Sequence, residues 1–267
     1  MDLSKIKLVV TDMDGTLLNS NHEVSSKFFN LYDQLKNHIH FVAASGRQHQ
    51  SISHKLESIK NEITIIAENG GITKQGNQEL LLTYLPIEKT QQLIPIVRNI
   101  EGGYAVLCGR KSAYIETQDE YFISLFDEYY SKYEIVDDLF QVVTDEFLKI
   151  AIYHLDSSEK YLYPSFKHLE NDMKIKVSGK NWLDISHANA NKGYALKHLQ
   201  DKLGISKEET MVFGDYNNDL EMLELAHYSF AMKNATTNVK KVARFETKSN
   251  DEEGVEFILE QLLRSKT

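Results

Sequence analysis

The chain has 267 residues, enough to bury a sizeable core in one large domain or two modest ones. With 42% hydrophobic and 26% charged residues it has the balance of an ordinary globular protein, and its net charge of −9 without a Lys/Arg cluster excludes nucleic acid or an anionic membrane as the principal partner. Cys108 is the only cysteine, so no intrachain disulfide can form, and the reading is a reducing, cytoplasmic compartment.

The first residues, Met1-Asp2-Leu3-Ser4-Lys5, lack the long apolar stretch of a secretion signal, and no later segment approaches a membrane-spanning length. Residues Ile6 to Thr11 form a nearly continuous apolar run, the pattern of a strand covered on both faces in a parallel sheet. Phe28, Leu31, Tyr32 and Leu35 then recur at helical spacing. A strand follows over Ile39 to Ala44, a helix over Ile52, Leu56 and Ile59, and a third strand over Ile63 to Ala67. This is βαβαβ, half of a doubly wound sheet.

The rhythm changes after Asn69-Gly70-Gly71. Gly76-Asn77 reads as a hairpin turn, and Pro86 precedes a helix carrying Leu93, Ile96 and Val97. Strands are predicted at Tyr104 to Cys108, Lys111 to Ile115, Leu148 to His154, Ile175 to Ser178 and Trp182 to Ser186. Hairpins mixed with helices describe an α+β insert. From Asn191 the first rhythm returns: a helix through Tyr194, Leu196 and Leu199 with Gly204 as its stop, a strand at Met211 to Gly214, a helix at Leu220 to Ala226, and a strand at Tyr228 to Met232. The expected architecture is α/β, a Rossmann-like doubly wound parallel sheet interrupted by an α+β cap. The core takes residues 1–83 and 187–267, and the insert takes 84–186.

Four short motifs stand at strand ends. Asp12-Met13-Asp14-Gly15-Thr16 places two carboxylates two residues apart where open α/β sheets bind ligands, and Gly15 permits the turn that lets them converge. Taken alone, the pair is better explained by turn and helix-capping chemistry. Ser45-Gly46-Arg47 offers a hydroxyl and backbone N–H groups at a strand-to-helix junction, either an anion cradle or an ordinary N-cap. Lys192 opens a helix, where a cation opposes the helix dipole. A nearby phosphate or carboxylate would explain it, and so would simple exposure to solvent. Gly214-Asp215-Tyr216-Asn217-Asn218-Asp219 follows another buried strand, and carboxylates without histidine or cysteine suit Mg²⁺. Asn218 or Asp219 can also cap the next helix.

In this order, the four motifs resemble the haloacid dehalogenase superfamily of phosphohydrolases. The large insert between the second and third motifs resembles its Cof-type branch. Supporting matches are Glu68-Asn69-Gly70-Gly71, Phe230-Ala231-Met232-Lys233-Asn234-Ala235 and Glu253-Gly254-Val255. Cys108-Gly109 with Ser112-Ala113-Tyr114 resembles the cap of bacterial sugar phosphatases. Departures are Lys233 where many relatives have glycine, Tyr216-Asn217 in place of smaller residues, and His187-Ala188-Asn189-Ala190 before the lysine.

The resemblance implies a Mg²⁺-dependent phosphatase of small phosphate monoesters, foremost sugar phosphates. Asp12 would be the nucleophile and Asp14 the general acid and base. Ser45, Gly46 and Lys192 would bind the phosphoryl group. Asp12, the Asp14 main-chain carbonyl and Asp215 would hold the metal, with Asn218 and Asp219 behind them. The insert would choose the leaving group, with Arg47, Asn69, Tyr114 and Trp182 as candidate substrate contacts, although both aromatics also fit a cap core. Alternatives are a phosphosugar mutase, a phosphatase of phosphorylated cofactors such as pyridoxal phosphate or flavin mononucleotide, and a catalytically silent phosphometabolite-binding protein. No obligatory protein partner is implied.

Overall fold

The computed structural model describes residues 2–266. By their contacts these fall into two units. The first holds residues 2–45, 52–81 and 191–266; the second holds 46–51 and 82–190. The short segment 46–51 therefore travels with the insert, and the return to the first unit comes at Asn191 rather than at the residue-187 boundary expected above.

The strands, in chain order, are β1 (Leu8–Asp12), β2 (His40–Ala44), β3 (Thr64–Ala67), β4 (Ile72–Gln75), β5 (Gln78–Leu82), β6 (Gly103–Gly109), β7 (Ala113–Ile115), β8 (Tyr133–Ile135), β9 (Phe147–His154), β10 (Lys174–Val177), β11 (Trp182–Ser186), β12 (Thr210–Gly214), β13 (Tyr228–Ala231) and β14 (Phe245–Glu246). The first sheet has the order β14-β13-β12-β1-β2-β3-β4-β5. Its pairings are parallel from β14 through β3, and β4 then turns back antiparallel on β3. Every residue of β1 is buried, as a central parallel strand covered on both faces requires. β1 lies between β2 and β12, so the chain runs outward from β1 in both directions. Ligands of open α/β sheets bind at such a switch point, beyond the carboxyl ends of the strands.

The helix Ser26–Leu35 turns Phe28, Leu31, Tyr32 and Leu35 inward as their spacing requires, and the Ser25 hydroxyl caps it by accepting from the Phe28 N–H at 3.0 Å. The helix Lys192–Leu203 starts at Asn191, whose side chain accepts from the Tyr194 N–H at 2.7 Å, and stops at Gly204 in the left-handed conformation. Other elements differ from expectation. The second helix covers only His49–Lys55, and the helix expected to reach Ala226 ends at Leu223. The helix Gly254–Lys266 buries Val255, Ile258, Leu259 and Leu262, a spacing not drawn on above.

The second unit is built on the sheet β10-β11-β9-β6-β7-β8, antiparallel except where β8 joins β7. Alternation along β6, β9 and β11 splits its core in two. Leu107, Ile150, Ile152, Leu183 and Ile185 enter one apolar cluster, while Val106, Cys108, Ala151 and Tyr153 enter another. The second cluster is closed by the helix Glu120–Phe126, which the sequence reading passed over. It buries Phe122 and Phe126, and the Asp119 carboxylate caps its first turn.

Candidate active site

Three adjacent strands of the first sheet deliver the first, second and fourth motifs: Asp12 ends β1, Ser45 follows β2, and Asp215 follows β12. The third comes from the helix that begins at Lys192. Lys192 is wholly buried, so it is not a solvated surface lysine. Its ammonium donates to Asp12 Oδ1 and, at 2.7 Å, to Asp219 Oδ1. Two carboxylates thus explain a cation at the positive end of a helix. Burial alone would lower the Lys192 pKa, but Asp12 and Asp219 outweigh it and hold the ammonium charged.

Both carboxylate oxygens of Asp219 are engaged in this network. While Oδ1 accepts from Lys192, Oδ2 accepts from the N–H groups of Asp215 and Tyr216 at 3.0 and 3.1 Å. It ties the turn after β12 to the lysine. Gly214 is required beside it, because a Cβ there would approach the Asp219 Cβ to 2.7 Å. Asp215 accepts from the Thr16 hydroxyl at 3.2 Å, a link to the first motif for which sequence reading had assigned no role. Gly15 takes φ of +74°, and a Cβ there would run into Asp215 Oδ2.

Asp12, Asp215 and Asp219 bring carboxylate oxygens within 4.8 Å of one another. Burial, then repulsion from Asp219, pushes the Asp12 carboxyl well up against the opposing pull of Lys192. The same two causes raise Asp215 to about 7, opposed by Lys192 and the Thr16 hydroxyl. Two buried carboxylates and a partly buried third, near one ammonium, form an all-oxygen donor set that a divalent cation would neutralise. Asp12, Asp215 and Asp219 are the carboxylates that could hold such an ion, and Asp219 already accepts three hydrogen bonds.

Asp14 lies in a different environment. Its side chain is 40% exposed, against 7% for Asp12, and its Oδ1 lies 3.7 Å from His22 Nδ1. His22 takes φ of +57°, uncommon for a residue with a side chain. Nothing in the local sequence marks it as a neighbour of Asp14.

Ser45 is buried. Its N–H donates to the Ile66 carbonyl at 2.9 Å, and its carbonyl accepts from the Asn69 N–H at 3.0 Å. Glu68 and Asn69 are both left-handed, with φ of 51° and 53°, a local strain of the kind that gathers at functional loops. Asn69 Oδ1 accepts from the Asn218 side chain at 3.0 Å, so these two residues are tied to one another. A Cβ on Gly70 would run into the Asn191 carbonyl, which presses this loop onto the start of the Lys192 helix.

The remaining candidates belong to the second unit. Arg47 is buried, with its guanidinium on the Glu128 carbonyl and carboxylate and 5.0 Å from the Tyr129 ring centre. Tyr114, a candidate substrate contact from sequence, instead sits in an apolar cluster with its hydroxyl on Asp145 at 3.0 Å. Trp182 packs edge-on against Tyr129 and Tyr153, and its buried indole N–H has no hydrogen-bond partner. Among the described residues, no helix is long and apolar enough to cross a membrane.

A doubly wound sheet with a buried Asp–Lys–Asp network at its switch point defines an α/β protein with a ligand site at the carboxyl ends of its strands. The family model of the haloacid dehalogenase-like hydrolases matches residues 9–259, and the chain belongs to that family. It is a phosphoric monoester hydrolase. The chain is 31% identical over 263 residues to the 5-amino-6-(5-phospho-D-ribitylamino)uracil phosphatase YbjI of Escherichia coli, covering 97% of each chain. It is 26% identical to the Bacillus subtilis phosphatase YitU of the same description, with 97% of this chain and 98% of that one aligned. The crystal structure of SMU.1108c from Streptococcus mutans superposes with a TM-score of 0.89 at 29% identity, covering 97% of this chain and 99% of that one.

Proposed function

We propose that this protein hydrolyses small phosphate monoesters with Mg²⁺ through a phosphoryl group carried transiently on Asp12. The observation that carries this reading is the buried Asp12 carboxylate at the end of β1, anchored through Oδ1 by Lys192 and grouped with Asp215. A nucleophile needs a fixed position, and the Lys192 hydrogen bond supplies it.

In the first step an Asp12 oxygen attacks phosphorus. The bond to the leaving oxygen breaks, and Asp14 gives that oxygen a proton. In the second step Asp14 takes a proton from water, the water oxygen attacks phosphorus, and the bond to Asp12 breaks to release inorganic phosphate. The contrast in environment suits this division of labour: Asp12 is buried and anchored, while Asp14 is open to exchange protons with solvent. Lys192, Ser45 and the peptide after it receive the phosphoryl oxygens and stabilise charge as the bonds change. Mg²⁺ held by Asp12 and Asp215 would screen the repulsion between an anionic nucleophile and an anionic ester. Asp219 keeps Lys192 and the Asp215 turn in place.

Sugar and sugar-alcohol phosphates are the proposed substrates. The two relatives described as phosphatases of a phosphorylated ribityl compound support this class and put that compound beside hexose phosphates. Phosphate release from a panel of sugar, sugar-alcohol, nucleotide and cofactor phosphates, with Mg²⁺ or EDTA, tests the reading. Turnover should require the metal and disappear in Asp12→Asn. Phosphoryl transfer between sugar positions without free phosphate would replace it with a mutase.

A further inference from the structure

The hydrogen bond between Asn69 and Asn218 joins two loops that the first sheet keeps apart. β1 and β2 lie between β12 and β3, and all four strands are parallel, so the loops after β12 and β3 leave from the same edge. Neighbouring strands stand ~4.8 Å apart, which puts the ends of β12 and β3 roughly 14 Å apart. The Asn218 side chain nevertheless donates to Asn69 Oδ1 at 3.0 Å. Both loops therefore reach inward along the edge, and the bond spans the two strands that end at Asp12 and lead into Ser45. All of these residues belong to the first unit.

The loop after β3 carries backbone strain to make this reach. Glu68 and Asn69 are buried and left-handed in succession, with φ of 51° and 53°. Glycine adopts that conformation without steric penalty, so a side chain kept there points to a use for the side chain. For Asn69 that use is the bond to Asn218, while its N–H holds the Ser45 carbonyl at 3.0 Å. Gly70 follows, so close to the start of the Lys192 helix that a Cβ would lie 2.3 Å from the Asn191 carbonyl. At the far end of the link, Asn218 directly precedes Asp219, whose carboxylate accepts from Lys192 and from the N–H groups of Asp215 and Tyr216.

We propose that Asn69 is a positioning residue: through Asn218 it braces the turn that carries Asp219, and so fixes Lys192 relative to Ser45. This rests on the phosphatase reading above, and it replaces the substrate contact that the sequence suggested for Asn69. The brace acts on groups that meet the phosphoryl oxygens, so its effect is independent of the leaving group. Because Lys192 and Ser45 stabilise charge as the bonds change, loosening the brace lowers kcat more than it raises KM.

The experiment compares wild type, Asn69→Gly, Asn218→Ala and the double variant. Glycine accepts the left-handed backbone, so Asn69→Gly removes the side chain without adding strain. With Mg²⁺ present, kcat and KM are measured on a hexose phosphate and on p-nitrophenyl phosphate. Amide exchange at Asp215 and Tyr216 is followed by nuclear magnetic resonance. Each single variant should lose about tenfold or more in kcat, equally for both esters, with KM changed by less than about threefold. The double variant should lose no more than the larger single loss. Exchange at Asp215 and Tyr216 should quicken about tenfold in Asn69→Gly. Single losses that multiply in the double variant overturn the brace, since Asn69 then acts without Asn218. A rise in KM confined to one ester also overturns it and makes Asn69 a leaving-group contact. An Asn69→Gly kcat within about twofold of wild type overturns it outright. If wild type hydrolyses neither ester, the phosphatase reading fails and the exchange rates alone decide the brace: unchanged rates overturn it.

Discussion

Asp219 and Lys192 form an ion pair of 2.7 Å in which neither side chain has any solvent exposure. The pair ties two separate segments of the site together. Asp219 joins the lysine to the turn that carries Asp215, and Lys192 extends the link to Asp12.

Breaking that pair from one side leaves a buried ammonium short of a partner. Asp219→Ala should lower unfolding stability by about 3–5 kcal/mol, because the charge stays and two N–H groups lose their acceptor. Urea unfolding read by circular dichroism measures it. A loss below about 1 kcal/mol would show that water fills the gap, contrary to the burial described here.

Gly15→Ala should act through the neighbouring carboxylate. A methyl group at φ of +74° is strained and runs into Asp215 Oδ2, so the carboxylate must shift. Mg²⁺ affinity should fall about tenfold or more with the fold retained. Calorimetric titration with the metal would read the change, and unchanged affinity would remove Asp215 from the ligand set.

The raised pKa of Asp215 gives a pH signature. Its folded, metal-free carboxyl is pushed to about 7, above the ordinary carboxylate value, so the fold favours the protonated form. That contribution is complete below the ordinary value and is lost as pH rises through about 7. Mg²⁺ binds the ionised form and competes with the proton. The Mg²⁺-induced rise in Tm should therefore grow from about pH 5.5 to about pH 8 and then level off. Thermal melts with Mg²⁺ or EDTA across this range test it, and a gain that shrank with pH would contradict the assignment.

Asp14→Asn separates protonation from attack. Esters with a poor leaving alcohol should lose about 10²- to 10⁴-fold in kcat, while p-nitrophenyl phosphate, whose leaving group needs no proton, should lose far less in the first step. Burst kinetics would then reveal accumulated phosphoenzyme, because the second step also needs Asp14. Equal losses in the burst phase for both esters would deny Asp14 the role of acid.

The parallel-sheet rhythm and its interruption were legible because strand and helix periodicities are local properties of neighbouring residues. The motifs carrying Asp12, Ser45 and Asp215 stand out because glycine, hydroxyl and carboxylate residues cluster where buried strands end. The partners of Lys192 and Asp219 were harder to read. A lone lysine at a helix start suits a surface equally well, and an aspartate four residues after Asp215 suits a helix cap.

The sequence by itself determined the α/β alternation, the place of the insert and the presence of the four motifs, since each is written in spacing of a few residues. Only the tertiary structure decided which groups share a charge. Lys192 reaches Asp12 across 180 positions, and the pairing exists because β12 lies beside β1 in the sheet. Burial also separated Asp12 from Asp14, two carboxylates alike in sequence, and packing brought Asn218 to Asn69, 149 positions away. Such interactions depend on distance and solvent exposure, which packing sets and local pattern does not encode.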